Sequence, residues 1–329
     1  MNKKERVEAA LRGEAVDRVP VSLWGHDYAR EWSAQGLAEA MVEEFTRYDW
    51  DYLKVNPRAS YLVESWGASY LPSNDPLKPP VFKGSPIRNS SDWKRLRPLE
   101  PDQKTLAEQL HALELINHAA GYEAYVAQTI FCPLGTARYL VGGDNAPVQY
   151  SIREDRSAMH RALRVITETL INFAIASLEY GASGIFYATN GWASSGMLTP
   201  DQYREYGEQY DLEFFDAIKS RSKLTILHNC GSHIYFDQLA SYPVDAISWD
   251  VTQEGNPDLR EGKLRSGKAV MGGINEKSTL LRGSPGQVQD EIGQTLEMTG
   301  STRLLLAPGC AIAPETPTKN KEAVRRAVS

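Results

Sequence analysis

The stretch LTILHNCGS, residues 224–232, ends an apolar, β-branched run in a histidine and a cysteine two residues apart. Imidazole nitrogen and thiolate sulfur are the donors that hold zinc and its borderline-soft neighbours. Residues i and i+2 of a strand point to the same side, so His228 and Cys230 face one way. A third donor, Cys310, closes another apolar run in LLLAPGCAIAPETP. Three nitrogen and sulfur ligands with no fourth cysteine nearby match a catalytic zinc site that keeps one position open. The competing reading is plain: rim histidines and small buried cysteines are common without any metal. The remaining cysteine, Cys132, precedes Pro133 at a run's end and reads as packing.

Side chains so far apart in sequence need a fold that gathers them. Eight short apolar runs punctuate the chain, at 19–24, 51–56, 124–131, 184–190, 224–230, 244–251, 269–275 and 302–310. Amphipathic segments lie between most of them. In 155–181, Leu163, Ile166, Leu170, Phe173 and Leu178 recur at the spacing of one buried helix face, and Gly181 follows as a helix-ending glycine. The spacing predicts further helices over 199–220, opened by Thr199-Pro200, and over 283–300. Strands alternating with helices imply parallel pairing, and eight such units predict an α/β fold, a (β/α)8 TIM barrel. A doubly wound open sheet competes, but no glycine-rich nucleotide loop follows the first run. In a barrel, active sites lie at the carboxyl ends of the strands. His228 closes the fifth run and Cys310 the eighth, so their meeting requires convergence across the mouth.

The 329 residues read as a single domain, 1–329, with an N-terminal helical extension. Residues 70–101 hold seven prolines and interrupt the rhythm after the second strand. A loop this long in a compact domain is a lid or binding loop, placed here over the catalytic face. With Lys+Arg 36 against Asp+Glu 42, the net charge of −6 offers no general attraction to nucleic acid or acidic membranes. The amino terminus is basic and amphipathic without the apolar core of a signal peptide. No run approaches the ~20 apolar residues of a membrane span. Three widely separated cysteines argue against a disulfide framework. A cytoplasmic protein is expected.

Over nearly its whole length the sequence resembles the uroporphyrinogen decarboxylase superfamily, and within it the zinc- and corrinoid-dependent methyltransferases such as methylcobalamin:coenzyme M methyltransferases. The likeness is carried by ALRGEAVDRVPV at the start, PLGTARYLVGGD (133–144), LTPDQYREY (198–206), LHNCG (227–231), VMGGIN (270–275) and LLLAPGCAIAPETPTKNKEAV (304–324). The resemblance implies a TIM barrel and a zinc ion held by His228, Cys230 and Cys310. It departs from the decarboxylase branch after the first strand. Where decarboxylases carry an MRQAGRY-type segment whose arginines bind the porphyrinogen, this chain reads SLWGHDYAREW, offering Arg30 and His26. A substrate with eight carboxylates needs more cationic partners than that.

The activity implied by the resemblance is methyl transfer in a corrinoid system. A free thiol near pKa ~8.5 is mostly protonated at neutral pH, whereas a zinc-bound one is a thiolate and still nucleophilic. The resemblance implies a methylated corrinoid, cobalamin free or on a separate corrinoid protein, as the co-substrate. A small thiol serves as methyl acceptor. The reverse direction, from an O-methyl or other donor to cob(I)alamin, uses the same scaffold, and a decarboxylase-like lyase is the alternative class. A homodimer is left open. Tyr139, Asn190 and Trp192 are placed as cofactor-binding residues, and Glu276, after Asn275 at the seventh strand's end, as a displaceable fourth zinc ligand. Trp24, Trp66 and Trp192 are candidates for an apolar wall, Gly142-Gly143-Asp144 for a turn or ligand-approach loop, and His233 for a helix cap or a contact behind the metal.

Overall fold

The computed structural model describes residues 1–329. In chain order the strands are β1 (Tyr52–Val55), β2 (Ser69–Leu71), β3 (Val81–Gly84), β4 (Tyr125–Phe131), β5 (Gly184–Ala188), β6 (Leu224–Asn229), β7 (Ala246–Trp249), β8 (Ala269–Ile274) and β9 (Leu304–Pro308). Seven of them form one parallel sheet in the order β1, β4, β5, β6, β7, β8, β9. The run at 19–24 closes this curled sheet into the expected barrel. Its Val21 bridges to Leu306 of β9 in parallel, and its carbonyl accepts from Asp51 N at 2.9 Å.

That first run is a bridge and not the full strand its composition predicts, for two local reasons. Pro20 has no N–H to give a ladder. The Val21 N–H, moreover, is taken by the Asp51 carboxylate at 2.9 Å instead of a strand carbonyl.

Alternation along the strands splits the apolar residues into two cores. Inward residues Tyr52, Tyr125, Phe186, Ile226, Met271 and Leu305 fill the barrel together with Trp24. Outward residues such as Val126, Ile185 and Leu227 pack beneath the helices. The N-terminal helix, Lys3–Arg12, starts at a capping box between Asn2 and Glu5 and stops at Gly13, whose φ of 75 is left-handed. Its Val7 and Ala10 join the interior cluster, so the extension plugs the barrel floor.

The outer helices follow the sequence pattern closely. Arg156–Glu179 buries Leu163, Ile166, Leu170 and Phe173 and is capped by Asp155. Pro285–Thr299 begins at Ser284 with a capping box. The helix expected over 199–220 departs: a π-helical turn at Arg204–Glu208 interrupts it. The wide turn seats the Tyr203 ring over Gly207, where a Cβ would stand 2.4 Å from the ring. There the Tyr203 hydroxyl donates to buried Asp211 at 2.8 Å.

The proline-rich stretch has more structure than a loop. It folds into the antiparallel hairpin β2–β3, tied by a Tyr70–Phe82 ring pair at 5.2 Å, and a 3-10 turn at Ser90–Arg95 capped by Asn89. The Tyr70 hydroxyl donates to Tyr139 O at 2.7 Å, fastening the hairpin to the segment after β4. No helix is long and apolar enough to cross a membrane.

Candidate metal centre

His228 belongs to the inward set of β6, two residues after Ile226, and is 3 % exposed. Cys230 follows at the strand's end, and Cys310 lies two residues past β9. The donor atoms of His228, Cys230 and Cys310 all lie within 4.8 Å of one another. His228 Nε2 stands 3.1 Å from Cys230 Sγ. A tetrahedral zinc with sulfur at about 2.3 Å and nitrogen at about 2.0 Å sets its donors about 3.5–3.8 Å apart. Small side-chain shifts take this cluster to those distances, so the donor set fits the ion.

The register of the sheet orients the imidazole. His228 pairs with Ser248 of β7, and Ser248 Oγ lies 3.0 Å from His228 Nδ1. A proton held on Nδ1 and donated to that hydroxyl would leave the Nε2 lone pair facing the sulfurs, the tautomer a metal ligand needs. Phe186 on neighbouring β5 packs against the ring at 5.3 Å. The two thiols are linked. A hydrogen bond from Cys230 pulls the Cys310 thiol far below its ordinary range, His228 adding to the effect, while Cys230 is pushed up.

The other candidates divide. Glu276 is buried, 3 % exposed, and burial raises its pKa. Its Oε2 accepts from Gly309 N at 3.1 Å, while Oε1 makes no hydrogen bond and faces Lys277 Nζ at 3.5 Å. It stands outside the three-residue cluster. Asn190 sits in a left-handed turn, φ 54, with its Oδ1 unpartnered and packed against Gly135. Tyr139 stacks on Phe131 at 5.2 Å; burial raises its pKa, and the charges of Cys230 and Cys310 add to that. It lines a cavity of about 180 Å³ together with His26, Tyr28, Tyr70 and Pro80.

Trp24, Trp66 and Trp192 do not make one wall. Trp24 is in the barrel interior, Trp192 is sealed in the outer core, and Trp66 donates to Arg97 O at 2.8 Å beneath the hairpin. His233 neither caps a helix nor backs the metal. The next helix, Phe236–Ala240, has no side-chain cap, and His233 is exposed beside Glu254 at 3.9 Å. Cys132 caps the helix Pro133–Leu140, accepting from Gly135 N at 3.1 Å. Gly142 and Gly143 take φ of 88 and 86, and Gly142 receives the Phe82 ring of the hairpin.

A larger cavity of about 310 Å³ opens at the same end, lined among others by Trp24, His26, Asn56, Leu77 and Ile312. Two residues of the surroundings carry no signal in the sequence pattern: Ser248, and Lys54 on β1. Lys54 is 5 % exposed, inside the barrel.

Fold and site together define a (β/α)8 barrel enzyme scaffold with a histidine–dicysteine cluster at the carboxyl-end mouth. The comparisons agree with that class: the uroporphyrinogen decarboxylase family profile matches residues 2–329. The chain belongs to the uroporphyrinogen decarboxylase family. Among curated relatives, a uroporphyrinogen decarboxylase from Prochlorococcus marinus is 28% identical over 71% of this chain, and that match spans 66% of the decarboxylase. The methylcobamide:CoM methyltransferase MtaA from Methanosarcina barkeri is 27% identical, over 98% of this chain and 96% of its own. Among solved structures, a methyltransferase from Methanosarcina mazei superposes with TM-score 0.82 at 23% identity, covering 99% of this chain and 98% of that one.

Proposed function

We propose that this protein is a zinc-dependent methyltransferase of a corrinoid system, moving a methyl group between a corrinoid and a small thiol. The observation that carries the reading is the convergence of the His228, Cys230 and Cys310 donors within 4.8 Å at the mouth of the barrel. A zinc ion there supplies Lewis acidity that holds an incoming thiol as its thiolate at neutral pH. The chain's own contributions are separable. Ser248 Oγ, 3.0 Å from His228 Nδ1, orients the imidazole so that Nε2 would face the ion. Cys230 and Cys310 neutralise the dication, which keeps a further sulfur electron-rich.

In the transfer itself the thiolate sulfur forms the S–C bond while the Co–C bond of the methylated corrinoid breaks. Both electrons of that bond remain on cobalt, giving cob(I)alamin, and the thiol proton leaves to solvent. The likeness to the methyltransferase over 96% of that protein's length supports this reading over a lyase. The mouth's electrostatics support it too. Arg30, the cation offered after the first strand, is already paired with Asp27 at 2.7 Å and Glu43 at 2.8 Å. His26 likewise contacts the Glu31 carboxylate at 2.7 Å. Neither is free for a polycarboxylate substrate.

The test is metal analysis followed by turnover. Purified protein should hold about one zinc per chain, lost in Cys230→Ser and in Cys310→Ser. With methylcobalamin and a panel of small thiols it should generate the cob(I)alamin spectrum. A metal-free protein that releases carbon dioxide from a porphyrinogen would overturn the proposal.

A further inference from the structure

Strand alternation carries Lys54 into the barrel beneath the metal-ligand cluster. It follows Tyr52, a residue of the interior cluster, by two positions. Its ammonium makes one hydrogen bond, to Asn56 Oδ1 at 2.6 Å. It lies 4.6 Å from the centroid of Phe186 and 5.5 Å from that of Trp24. Phe186 is the ring that packs on His228, so one aromatic side chain touches both the cation and the metal ligand. No carboxylate pairs with Lys54. The anionic groups that bear on it are Cys310 and Cys230, which favour its charged form against a burial that pulls its pKa down to about 7.

A buried ammonium with no carboxylate is costly unless another negative centre compensates it. The dyad is also aimed. Asn56 is 6 % exposed, lines the 310 Å³ cavity and leaves its Nδ2 without a partner. The amide therefore holds the lysine with its oxygen at the wall of that cavity, while its Nδ2 is buried without a partner.

We propose that Lys54, positioned by Asn56, is the counter-charge that lets the histidine–dicysteine centre accept a third sulfur as a thiolate. A dication with neutral His228 and two cysteinates is electrically neutral, and an added thiolate makes it −1. The Lys54 ammonium restores neutrality across the mouth. This inference rests on the metal and thiol reading above.

The experiment uses full-length protein loaded with Co(II) in place of zinc, titrated with a small thiol such as 2-mercaptoethanol at pH 7. The sulfur-to-cobalt charge-transfer band reports thiolate binding. Wild type should develop a saturable new band. Lys54→Met should load cobalt to the same stoichiometry but bind the thiol at least about tenfold more weakly, and Lys54→Arg should recover most of the loss. Asn56→Leu, which keeps the lysine and frees its end, should weaken binding severalfold and covers the case in which Lys54→Met does not fold. A purely structural lysine lowers the melting temperature and leaves thiol affinity unmoved; affinity within twofold of wild type in Lys54→Met, or in Asn56→Leu if the first is unfolded, overturns the inference. A wild type that loads cobalt and shows no thiol-dependent band overturns the metal–thiol reading and the role of Lys54 with it.

Discussion

Ser248→Ala isolates the tautomer argument. The hydroxyl sits 3.0 Å from His228 Nδ1, and both residues are buried, Ser248 at 0 % and His228 at 3 % exposure. Phe186 covers the ring at 5.3 Å, so water has little room to replace the lost partner. An orphaned buried donor costs about 1–3 kcal/mol. The imidazole relieves that cost by moving its proton to Nε2, where it no longer binds a cation. Partners standing behind a metal-bound histidine are typically worth ten- to hundredfold in affinity, or about 1.4–2.8 kcal/mol. Zinc affinity measured by competition with a chromophoric chelator should fall by that factor in Ser248→Ala. Ser248→Thr, which keeps a hydroxyl, should recover most of it. A Ser248→Ala protein that retains zinc within twofold of wild type would refute the claim that this hydrogen bond selects the ligand tautomer.

Three further outcomes concern the scaffold. Asp211 is fully buried under three tyrosine hydroxyls, from Tyr187 at 2.6 Å, Tyr203 at 2.8 Å and Tyr242 at 3.1 Å, and burial raises its pKa from 3.8 to about 6 against those bonds. The folded state then binds the proton more tightly than the unfolded chain. Stability is fully present below pH 4 and declines by about 3 kcal/mol as pH rises through 6, at about 1.36 kcal/mol per unit. Urea melts of Asp211→Asn should lack that decline, and an unchanged slope would sink the assignment. Arg6 joins the N-terminal helix to buried Asp51 at 2.7 Å, so Arg6→Met, which leaves that carboxylate with one cation fewer, should cost about 3 kcal/mol in chemical denaturation. Phe173, fully buried on the helix Arg156–Glu179, should cost about 3–5 kcal/mol as Ala without changing zinc content, because it lies outside the barrel interior.

Whatever had a period or a chemically loud residue was legible in the sequence. Short apolar runs separated by amphipathic segments marked all seven strands of the parallel sheet, and the 3.6-residue stripe of Leu163, Ile166, Leu170 and Phe173 appears unchanged in the long helix. His228, Cys230 and Cys310 stood out because nitrogen and sulfur donors are rare at strand ends. The misses share another cause. Ser248 matters only through the register that sets β7 beside β6, and register is invisible in either strand alone. Lys54, in the run DYLKVN, looks like an ordinary solvent-facing lysine of a half-exposed strand. It is buried because the strand has water on neither side. The π-helical turn at Arg204–Glu208 depends on a tyrosine reaching a carboxylate inside the fold, and no local propensity marks it.

These misses and successes belong to one geometric device. Pairing aligns Ala188 with His228 and His228 with Ser248 across β5, β6 and β7, a row of inward residues at the rim. Phe186 and Ile226 are register partners one inward step lower. The row below is apolar and aromatic, closed underneath by Val7 and Ala10 of the N-terminal helix. Polar groups set on an apolar floor experience weak dielectric screening, so each charge there acts strongly on its neighbours. In the proposed zinc centre His228, the two cysteines and Lys54 would therefore act as a single electrostatic unit. The same floor argues against a polycarboxylate guest: its charges would be desolvated over hydrocarbon with Arg30 and His26 already engaged. A sulfur nucleophile brings a single charge instead of several, and Lys54 stands within the barrel to offset it.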